Sequence, residues 1–367
     1  MEHEFTSQIQ QVLALAFGEA WEDIYTRSSL LQYLNIKTIS ATRGAKVRGS
    51  FANLYAVYVL VEDYLKNDFE KRQDYSDYEG ARFTDLFHRQ RELPFGSKLQ
   101  NHALNSRMNE EFKKYFPPIE YVPILRDLQT NRYWINENLL TVSVGKQTYN
   151  IAPTIVQIID RYVETKRSAF EQFIKTCERL KSVSAEEDRT VKDFIAELLA
   201  PNVDARIFEI VSYAILKLHY HDQTVYFGYA LESIQEENLK LYKTGRTNAN
   251  DGGIDFVMRP LGKFFQVTET LDVRKYFLDI DKIERYPISF VIKSEETIDK
   301  LRQKLRAGAE RLYAIKAIVE KYMNCIEEII NLPVLRQRFG EAIAQGYLRD
   351  ILDEIILQSR VEFNYDE

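Results

Sequence analysis

Apolar residues in several long stretches of the chain recur three and four positions apart, which is the spacing of one face of a helix. This pattern runs through residues 5–36 and again, after a capping residue at Ser50, through FANLYAVYVLVEDYL. Pro153 opens a further long helical pattern, and residues 295–359 are almost wholly helical in period, with a break at Leu332–Pro333. The chain therefore predicts large, mainly helical N-terminal and C-terminal parts.

A different pattern occupies residues 203–295. An amphipathic helix, VDARIFEIVSYAILKLHYH, is followed by an apolar strand, QTVYFGYAL, and by a polar, helix-like segment, SIQEENLKLYK. Two strands then lie within NANDGGIDFVMRPLGKFFQVTET, separated by a Pro-Leu-Gly turn, and PISFVIKS adds a further apolar strand. Alternation of this kind predicts an α/β (α+β) fold, in which a mixed central β-sheet is flanked by helices.

These patterns divide the chain into four segments. We predict a mainly helical region at 1–152, which contains a β-hairpin with its turn near Gly145–Lys146. Connecting helices are predicted at 153–202, an α/β core at 203–295, and a helical C-terminal region at 296–367.

Composition narrows the class of protein. The net charge of −6 argues against a protein that coats nucleic acid without specificity, but it leaves room for a local basic cleft. No apolar run approaches the length of a membrane span, and the start MEHEFTSQIQ lacks a signal sequence, so we expect a cytoplasmic protein without a membrane partner. Cys177 and Cys325 are predicted to be free thiols. The sequence has no glycine-rich phosphate loop, so we expect no nucleotide cofactor.

Candidate ligands for a metal ion lie on the two strands that the Pro-Leu-Gly turn connects. Alternation lets Asp255 on the first strand lie beside Gln266 and Thr268 on the second, if the hairpin register allows. A carboxylate, an amide oxygen and a main-chain carbonyl at a strand edge form an oxygen-ligand site suited to Mg²⁺. Gly252 and Gly253 would let a phosphate backbone approach closely just before the acid.

Three short motifs follow one another in this part of the chain: F-E in a helix, D-G-G-I-D on a strand, and F-Q-V on the next strand. Over roughly residues 203–295, this order resembles the Mrr-like branch of the PD-(D/E)xK nuclease superfamily. The resemblance implies a restriction-endonuclease-like core. It also implies that Glu209, Asp255 and Gln266, with the carbonyl of Val267, bind a divalent metal ion that activates water to cut DNA.

The chain departs from that family at Thr268, where the family has a lysine. A threonine hydroxyl cannot supply the positive charge that lysine gives to the attacking hydroxide and to the developing phosphorane. Lys263 is the nearest replacement, but alternation puts it on the face opposite Gln266, so it would need a bulge or a turn to reach the site. Lys243 and Lys275 could reach across instead. Three outcomes stay open: a relocated lysine, a metal-only mechanism, or an inactive site.

Two basic stretches are candidates for contact with DNA. Residues 82–107 mix arginines, which suit guanine edges and phosphates, with Asn and Gln, which suit adenine edges. The loop SATRGAKVRGS is expected to touch phosphates rather than bases, and for both stretches the alternative is an ordinary solvated surface. The predicted DNA-contact residues are Arg43, Lys46, Arg48, Arg82, Arg89, Arg91, Lys98, Gln100, Asn101, Asn105 and Arg107.

Together these features predict a Mg²⁺-dependent, sequence-specific endonuclease of double-stranded DNA, a type II restriction enzyme of a restriction–modification system. Cutting both strands at a symmetric site usually takes two active sites, so we expect a homodimer, with 296–367 as a candidate contact. One alternative is a DNA-binding protein that keeps the nuclease fold without activity, which the missing lysine favours. Another is a helical protein-interaction module in which the two strands are only a hairpin.

Overall fold

The computed structural model describes residues 2–39, 47–72, 74–97, 99–118, 120–183, 187–200, 203–244 and 254–363. The chain forms two compact units, Met1–Phe173 and Ile174–Glu367. Both units contain helices and strands, so the predicted α/β class is confirmed as a mixed fold. None of the helices in the described ranges is long and apolar enough to cross a membrane.

Helices make up most of the first unit. They are α1 (Thr6–Phe17), α2 (Trp21–Arg27), α3 (Ser29–Thr38), α4 (Val47–Lys66), α5 (Phe83–Glu92), α6 (Met108–Tyr115) and α7 (Ala152–Ser182), which continues into the second unit. The strands are β1 (Ala81–Arg82), β2 (Ile124–Asp127), β3 (Arg132–Ile135), β4 (Thr141–Val144) and β5 (Gln147–Asn150). Strands β1, β3 and β2 form one antiparallel sheet in that order. Strands β4 and β5 form the predicted hairpin, with its turn at Gly145–Lys146.

A five-stranded mixed sheet lies at the centre of the second unit. The helices of this unit are α8 (Asp188–Glu197), α9 (Ala205–His219), α10 (Val273–Lys282), α11 (Ile298–Leu312), α12 (Lys316–Cys325), α13 (Leu332–Ala344) and α14 (Leu348–Phe363). Its strands are β6 (Thr224–Phe227), β7 (Gln235–Asn238), β8 (Lys240–Lys243), β9 (Phe256–Arg259), β10 (Lys263–Thr268), β11 (Ile288–Ile292) and β12 (Ile326–Ile330). The sheet order is β12-β11-β10-β9-β8, and β6 and β7 form a separate hairpin. Strand β11 runs parallel to β10 and β12, whereas β9 is antiparallel to β8 and β10.

Helices cover both faces of the five-stranded sheet. All residues of β11 are buried, as expected for a strand that is covered on both sides. On one face Phe290 and Ile292 join an apolar cluster formed with α10, α11 and α12. On the other face Phe256 packs against Tyr213 of α9, with ring centroids 5.1 Å apart, and α13 and α14 pack against α9 as well. The polar residues at the ends of β9 and β10 therefore lie close to two helical layers.

Three local predictions in this unit are wrong. The segment QTVYFGYAL does not join the central sheet, because its strand β6 pairs with β7 alone. The segment SIQEENLKLYK is not helical but forms β7 and β8, in which Leu241 is buried between two exposed neighbours. Strand β12 interrupts the predicted C-terminal helical region, because Ile326, Ile329 and Ile330 are buried beside β11, while Glu327 and Glu328 between them are more exposed. The sheet thus takes one strand from the 296–367 segment.

Candidate active site

Asp255 lies between two strands of the central sheet. It comes immediately before β9, which begins at Phe256, so it is not within the strand as predicted. Its N–H donates to the carbonyl of Phe265 on β10 at 3.1 Å, and its carbonyl accepts from the N–H of Thr244, after β8, at 2.9 Å. These bonds hold the backbone of Asp255 on two sides. Because the residue precedes the regular strand, alternation alone does not place its side chain.

The carboxylate of Asp255 contacts the backbone of β10. Its Oδ2 atom accepts a hydrogen bond from the N–H of Val267 at 2.7 Å. In an extended strand the N–H and C=O of one residue face the same neighbouring strand. The Thr268 carbonyl faces β11, since it accepts from the N–H of Lys293 at 3.0 Å, so the Val267 carbonyl faces the opposite edge, toward Asp255. The predicted acid and the predicted main-chain ligand therefore share one edge of β10.

The surroundings of Asp255 disfavour its ionised form. Burial raises the pKa of Asp255, and the negative charge of Glu209 raises it further, to about 8. The Val267 N–H and the cations Arg206 and Lys275 act in the opposite direction but do not balance the first two causes. The cations that are present therefore only partly offset burial and the charge of Glu209, and a cation bound beside Asp255 would favour its ionised form further.

Glu209 belongs to a buried chain of alternating charges. It forms ion pairs with Arg206, three residues before it on α9, and with Lys243 of β8, whose Nζ lies 3.3 Å from the Glu209 Oε1. Arg206 also reaches Glu362 of α14, with 3.2 Å between Nε and Oε1. The four side chains are linked by ion pairs in the order Lys243, Glu209, Arg206, Glu362. The charge of Glu209 also raises the pKa of Asp255. Because these side chains are largely buried, each charge depends on its partners.

Gln266 and Thr268 are both buried on β10, but their polar atoms differ. The Oε1 atom of Gln266 has no hydrogen-bond partner among the described residues. A buried acceptor without a partner costs about 1–3 kcal/mol, so a ligand or ion that approached this oxygen would recover that free energy. The hydroxyl of Thr268 donates to the carbonyl of Thr270 at 3.1 Å. Thr268 thus stabilises the turn after β10 and supplies no charge.

The candidate lysines have different surroundings. The ammonium group of Lys263 lies over the ring of Phe265 and 3.3 Å and 3.5 Å from carboxylate oxygens of Glu327 and Glu328 on β12. Its charge is therefore directed at β12. Lys275 on α10 is exposed, and its charge lowers the pKa of Asp255. Lys275 acts on Asp255 and Lys243 pairs with Glu209, whereas Lys263 pairs with acids of β12.

The predicted ligands suit Mg²⁺ by their chemistry. All are oxygens: the carboxylates of Asp255 and Glu209 and the carbonyl of Val267, which are near one another, and the amide of Gln266, which is buried on β10 opposite Phe290. The described part of the chain contains no group of three or more His, Cys, Asp and Glu side chains that could hold a metal ion. Mg²⁺ commonly binds through one or two carboxylates and completes its shell with water and substrate phosphates. Two acids and an unsatisfied amide oxygen fit that mode of binding.

Comparison with known proteins supplies no family for the chain. No family model, curated protein or solved structure matches it. The roles of Asp255 and its neighbours therefore rest on their contacts within this chain.

The predicted DNA-contact residues of the first unit differ in exposure. Arg82, Arg91, Gln100 and Arg107 are exposed, whereas Arg89, Asn101 and Asn105 are half-buried. The half-buried Asn105 accepts a hydrogen bond from the Tyr133 hydroxyl at 3.1 Å, so part of its polar surface is used within the fold. Arg43, Lys46 and Lys98 lie outside the described residues, as do Gly252, Gly253 and the side chain of Arg48, whose backbone belongs to α4.

Arg82 and Arg89 line a cavity of about 280 Å³ on the first unit. The guanidinium of Arg89 forms two hydrogen bonds of 2.8 Å with the carboxylate of Glu62, which also lines the cavity. The other charged residues of the lining are Asp63, Lys66, Glu79, Asp85 and Arg132. Because Glu62 already neutralises Arg89, the exposed arginines are the stronger candidates for contact with phosphate.

Sequence reasoning missed three charged residues of the second unit. Arg206 has a signal in the sequence, because it stands three residues before Glu209 and such side chains meet on a helix. Glu362 has none, since its contact with Arg206 depends on the packing of α14 against α9. Lys293 follows β11 with only 3% of its side chain exposed, and its ammonium group lies 2.8 Å from a carboxylate oxygen of Glu269.

Proposed function

We propose that this protein is a Mg²⁺-dependent endonuclease that hydrolyses phosphodiester bonds in double-stranded DNA. The observation that carries the proposal is the buried Asp255 carboxylate, 2.7 Å from the nitrogen of Val267, with a pKa that burial and Glu209 raise. A buried acid with a raised pKa, near a second acid and a main-chain carbonyl, has the properties of a metal ligand.

The order of elements around Asp255 supports the same proposal. Helix α9 is followed in the central sheet by β8, β9 and β10, then by α10, and then by β11, parallel to β10. This order agrees with the helix, mixed sheet and second helix of the Mrr-like nucleases that the motifs resemble. We therefore propose a restriction-endonuclease-like core, in which Glu209 is on the first helix and Gln266 on the third strand of the core.

Four groups would hold the ion: the carboxylates of Asp255 and Glu209, the amide oxygen of Gln266 and the carbonyl of Val267. A bound Mg²⁺ ion generates a nucleophile from water at neutral pH and stabilises negative charge on the phosphate. The N–H of Val267 orients the Asp255 carboxylate by its hydrogen bond to Oδ2, so this ligand is already fixed. Glu209 is oriented in the same way by its ion pair with Arg206.

The cations of the site would also supply charge. Asp255 must lose its proton to bind an ion, and Arg206 and Lys275 favour the ionised form. The positive charge that the family obtains from a lysine at the position of Thr268 would come from Lys243 or Lys275. Lys243 is on β8, opposite Phe256, which follows Asp255 in the chain. The charge of Lys275 lowers the pKa of Asp255.

We further propose that the protein cuts at specific sequences, as a type II restriction enzyme, and that the first unit reads the DNA. The exposed Arg82, Arg91 and Arg107 support this part of the proposal, since arginines contact both phosphates and guanine edges. A homodimer would supply two active sites. Leu357 and Val361, one helical turn apart on α14, are 53% and 57% exposed, which favours a contact there. The cytoplasm is the expected location.

Incubation of the purified chain with plasmid DNA and Mg²⁺ tests the proposal. We expect discrete DNA fragments, and we expect no cutting when a chelator removes the ion. Retention of DNA without cutting, in Mg²⁺ or in Mn²⁺, would favour the alternative of an inactive nuclease fold. Failure to retain DNA even at low salt would contradict a role in DNA binding altogether.

A further inference from the structure

Lys243 and Glu209 form an ion pair between the edge strand of the sheet and the helix that covers it. The Lys243 Nζ lies 3.3 Å from the Glu209 Oε1, and only 14% and 9% of the two side chains are exposed. Glu209 is a candidate ligand of the divalent ion, and the Lys243 ammonium already neutralises part of its negative charge. The ammonium group of Lys243 therefore competes with any other cation for Glu209.

The backbone of Lys243 adjoins the site. Lys243 is opposite Phe256 in the register of β8 and β9, and Phe256 is the residue after Asp255. The next residue of the chain, Thr244, donates its N–H to the carbonyl of Asp255 at 2.9 Å. The backbone of Lys243 therefore stays beside Asp255 whether or not its side chain pairs with Glu209.

The other positive groups near the site have different partners. Arg206 is shared between Glu209 and Glu362, so it stays anchored on α14 if its ion pair with Glu209 breaks. Lys275 acts on Asp255 from α10. Lys263 is directed at β12, and the buried ammonium of Lys293 pairs with Glu269. Among these lysines, the ion pair of Lys243 is the one that involves a candidate metal ligand.

We propose that Lys243 takes the place of the lysine that is missing at Thr268, and that Glu209 holds its ammonium group until a divalent ion binds. Without the ion, Lys243 and Arg206 together neutralise Glu209, and Lys243 disfavours the binding of a further cation. With the ion, Lys243 leaves Glu209 and stabilises negative charge on the scissile phosphate, while Arg206 keeps Glu209 in position. The inference rests on the proposed function, because it concerns the same metal site.

The two proposed roles of Lys243, competition for Glu209 and stabilisation of the phosphate, predict opposite effects of its replacement on ion binding and on cutting. If the ammonium competes for Glu209, Lys243→Met should bind the divalent ion more tightly. If the ammonium also acts on the phosphate, the same variant should cut DNA more slowly. A merely structural role would not separate these effects, because removal of a supporting side chain would weaken ion binding and slow cutting together.

Mn²⁺ binding, followed by the electron paramagnetic resonance of the free ion, tests the proposal. We expect Lys243→Met to bind Mn²⁺ at least about fivefold more tightly than the wild type, as for the loss of one competing ion pair. Lys275→Met is the matched control, since it removes a nearby charge without removing a partner of Glu209, and its effect should be smaller. Lys243→Arg, which keeps the charge, should bind Mn²⁺ like the wild type.

At saturating Mn²⁺, single-turnover cutting by Lys243→Met should be at least about a hundredfold slower than cutting by the wild type.

The outcomes separate this inference from the proposed function. Mn²⁺ binding by the wild type, with equal or weaker binding by Lys243→Met, would overturn the role of Lys243 and leave the metal site standing. Tighter binding with an unchanged rate of cutting would overturn the catalytic part of the inference. Absence of Mn²⁺ binding to the wild type would contradict both the metal site and the inference.

Discussion

The Oδ2 atom of Asp255 accepts a hydrogen bond of 2.7 Å from the backbone N–H of Val267, between the start of β9 and the end of β10. This bond holds a buried acid beside a main-chain carbonyl, near the second acid, Glu209. The negative charge of Glu209 disfavours the ionised form of Asp255, and Arg206, which pairs with Glu209, offsets only part of that effect. A further cation beside Asp255 would favour its ionised form.

Asp255→Asn is expected to remove a pH-dependent loss of stability. In the folded protein the pKa of Asp255 is raised from 3.8 to about 8, so the folded chain binds this proton more tightly than the unfolded chain. The contribution of the proton is fully present below the unfolded pKa and is lost as the pH rises through the folded pKa. In a chelator, the melting temperature of the wild type should therefore fall relative to that of Asp255→Asn between about pH 5 and about pH 8.

Asp127→Asn is the control for that experiment. Asp127 is the half-buried last residue of β2, and hydrogen bonds from the Thr130 hydroxyl and the Gln129 N–H lower its pKa. Its contribution to stability is present above the unfolded pKa and is lost as the pH falls, so the pH dependence has the opposite sign. Parallel pH profiles for the wild type and Asp255→Asn would mean that Asp255 titrates normally.

Glu209→Gln is expected to destabilise the second unit by about 3 kcal/mol, because it leaves Lys243 and Arg206 buried with less negative charge nearby. Glu295→Gln is the matched control. Glu295 also pairs with an arginine, Arg336, but half of its side chain is exposed, so its replacement should cost less than about 1 kcal/mol. Urea denaturation near pH 6, where the Asp255 carboxyl is largely protonated, measures both. Equal costs would contradict the buried charge network.

Arg82→Ala and Arg107→Ala are expected to weaken DNA binding and to reduce the slope of log K against log salt by about 1 for each phosphate that the variant no longer neutralises. Arg89→Ala should leave that slope unchanged, because Glu62 already pairs with the Arg89 guanidinium. Filter binding at several salt concentrations measures the three slopes. A reduced slope for Arg89→Ala alone would reverse the assignment of the contact residues.

Lys263→Met should leave the rate of DNA cutting nearly unchanged, since the charge of Lys263 is directed at Glu327 and Glu328 on β12. The rate is measured with saturating Mg²⁺ on the plasmid that the wild type cuts. A rate that fell as far as that of Lys243→Met would assign the missing charge to Lys263 instead.

The strands that carry the site could be predicted because their side chains alternate and a Pro-Leu-Gly turn separates them. The same alternation places Lys263 and Phe265 on one face, as found. The polar segment SIQEENLKLYK is rich in residues with high helix propensity, but pairing with neighbouring strands overrides that preference. Strand β12 could not be distinguished from helix in the sequence, because its isoleucines at 326, 329 and 330 recur three and four positions apart, as on one face of a helix.

The charge network could be predicted only where it is local. Arg206 and Glu209 are three residues apart on one helix, which is a signal that the sequence carries. The ion pairs of Lys243 with Glu209 and of Arg206 with Glu362 join elements far apart in the chain, and no pattern in the residues themselves brings them together. The position of Asp255 before β9, rather than within it, likewise depends on bonds to Thr244 and Phe265.

The most direct test of the central claim is the rate at which Asp255→Asn cuts duplex DNA in saturating Mg²⁺. Asp279→Asn is the matched control, because Asp279 is a second buried aspartate whose pKa is raised by burial, and it pairs with Lys282 on α10. We predict at least about a hundredfold slower cutting for Asp255→Asn, with DNA binding retained, and a near-normal rate for Asp279→Asn. Cutting by Asp255→Asn at the rate of the wild type would contradict the account.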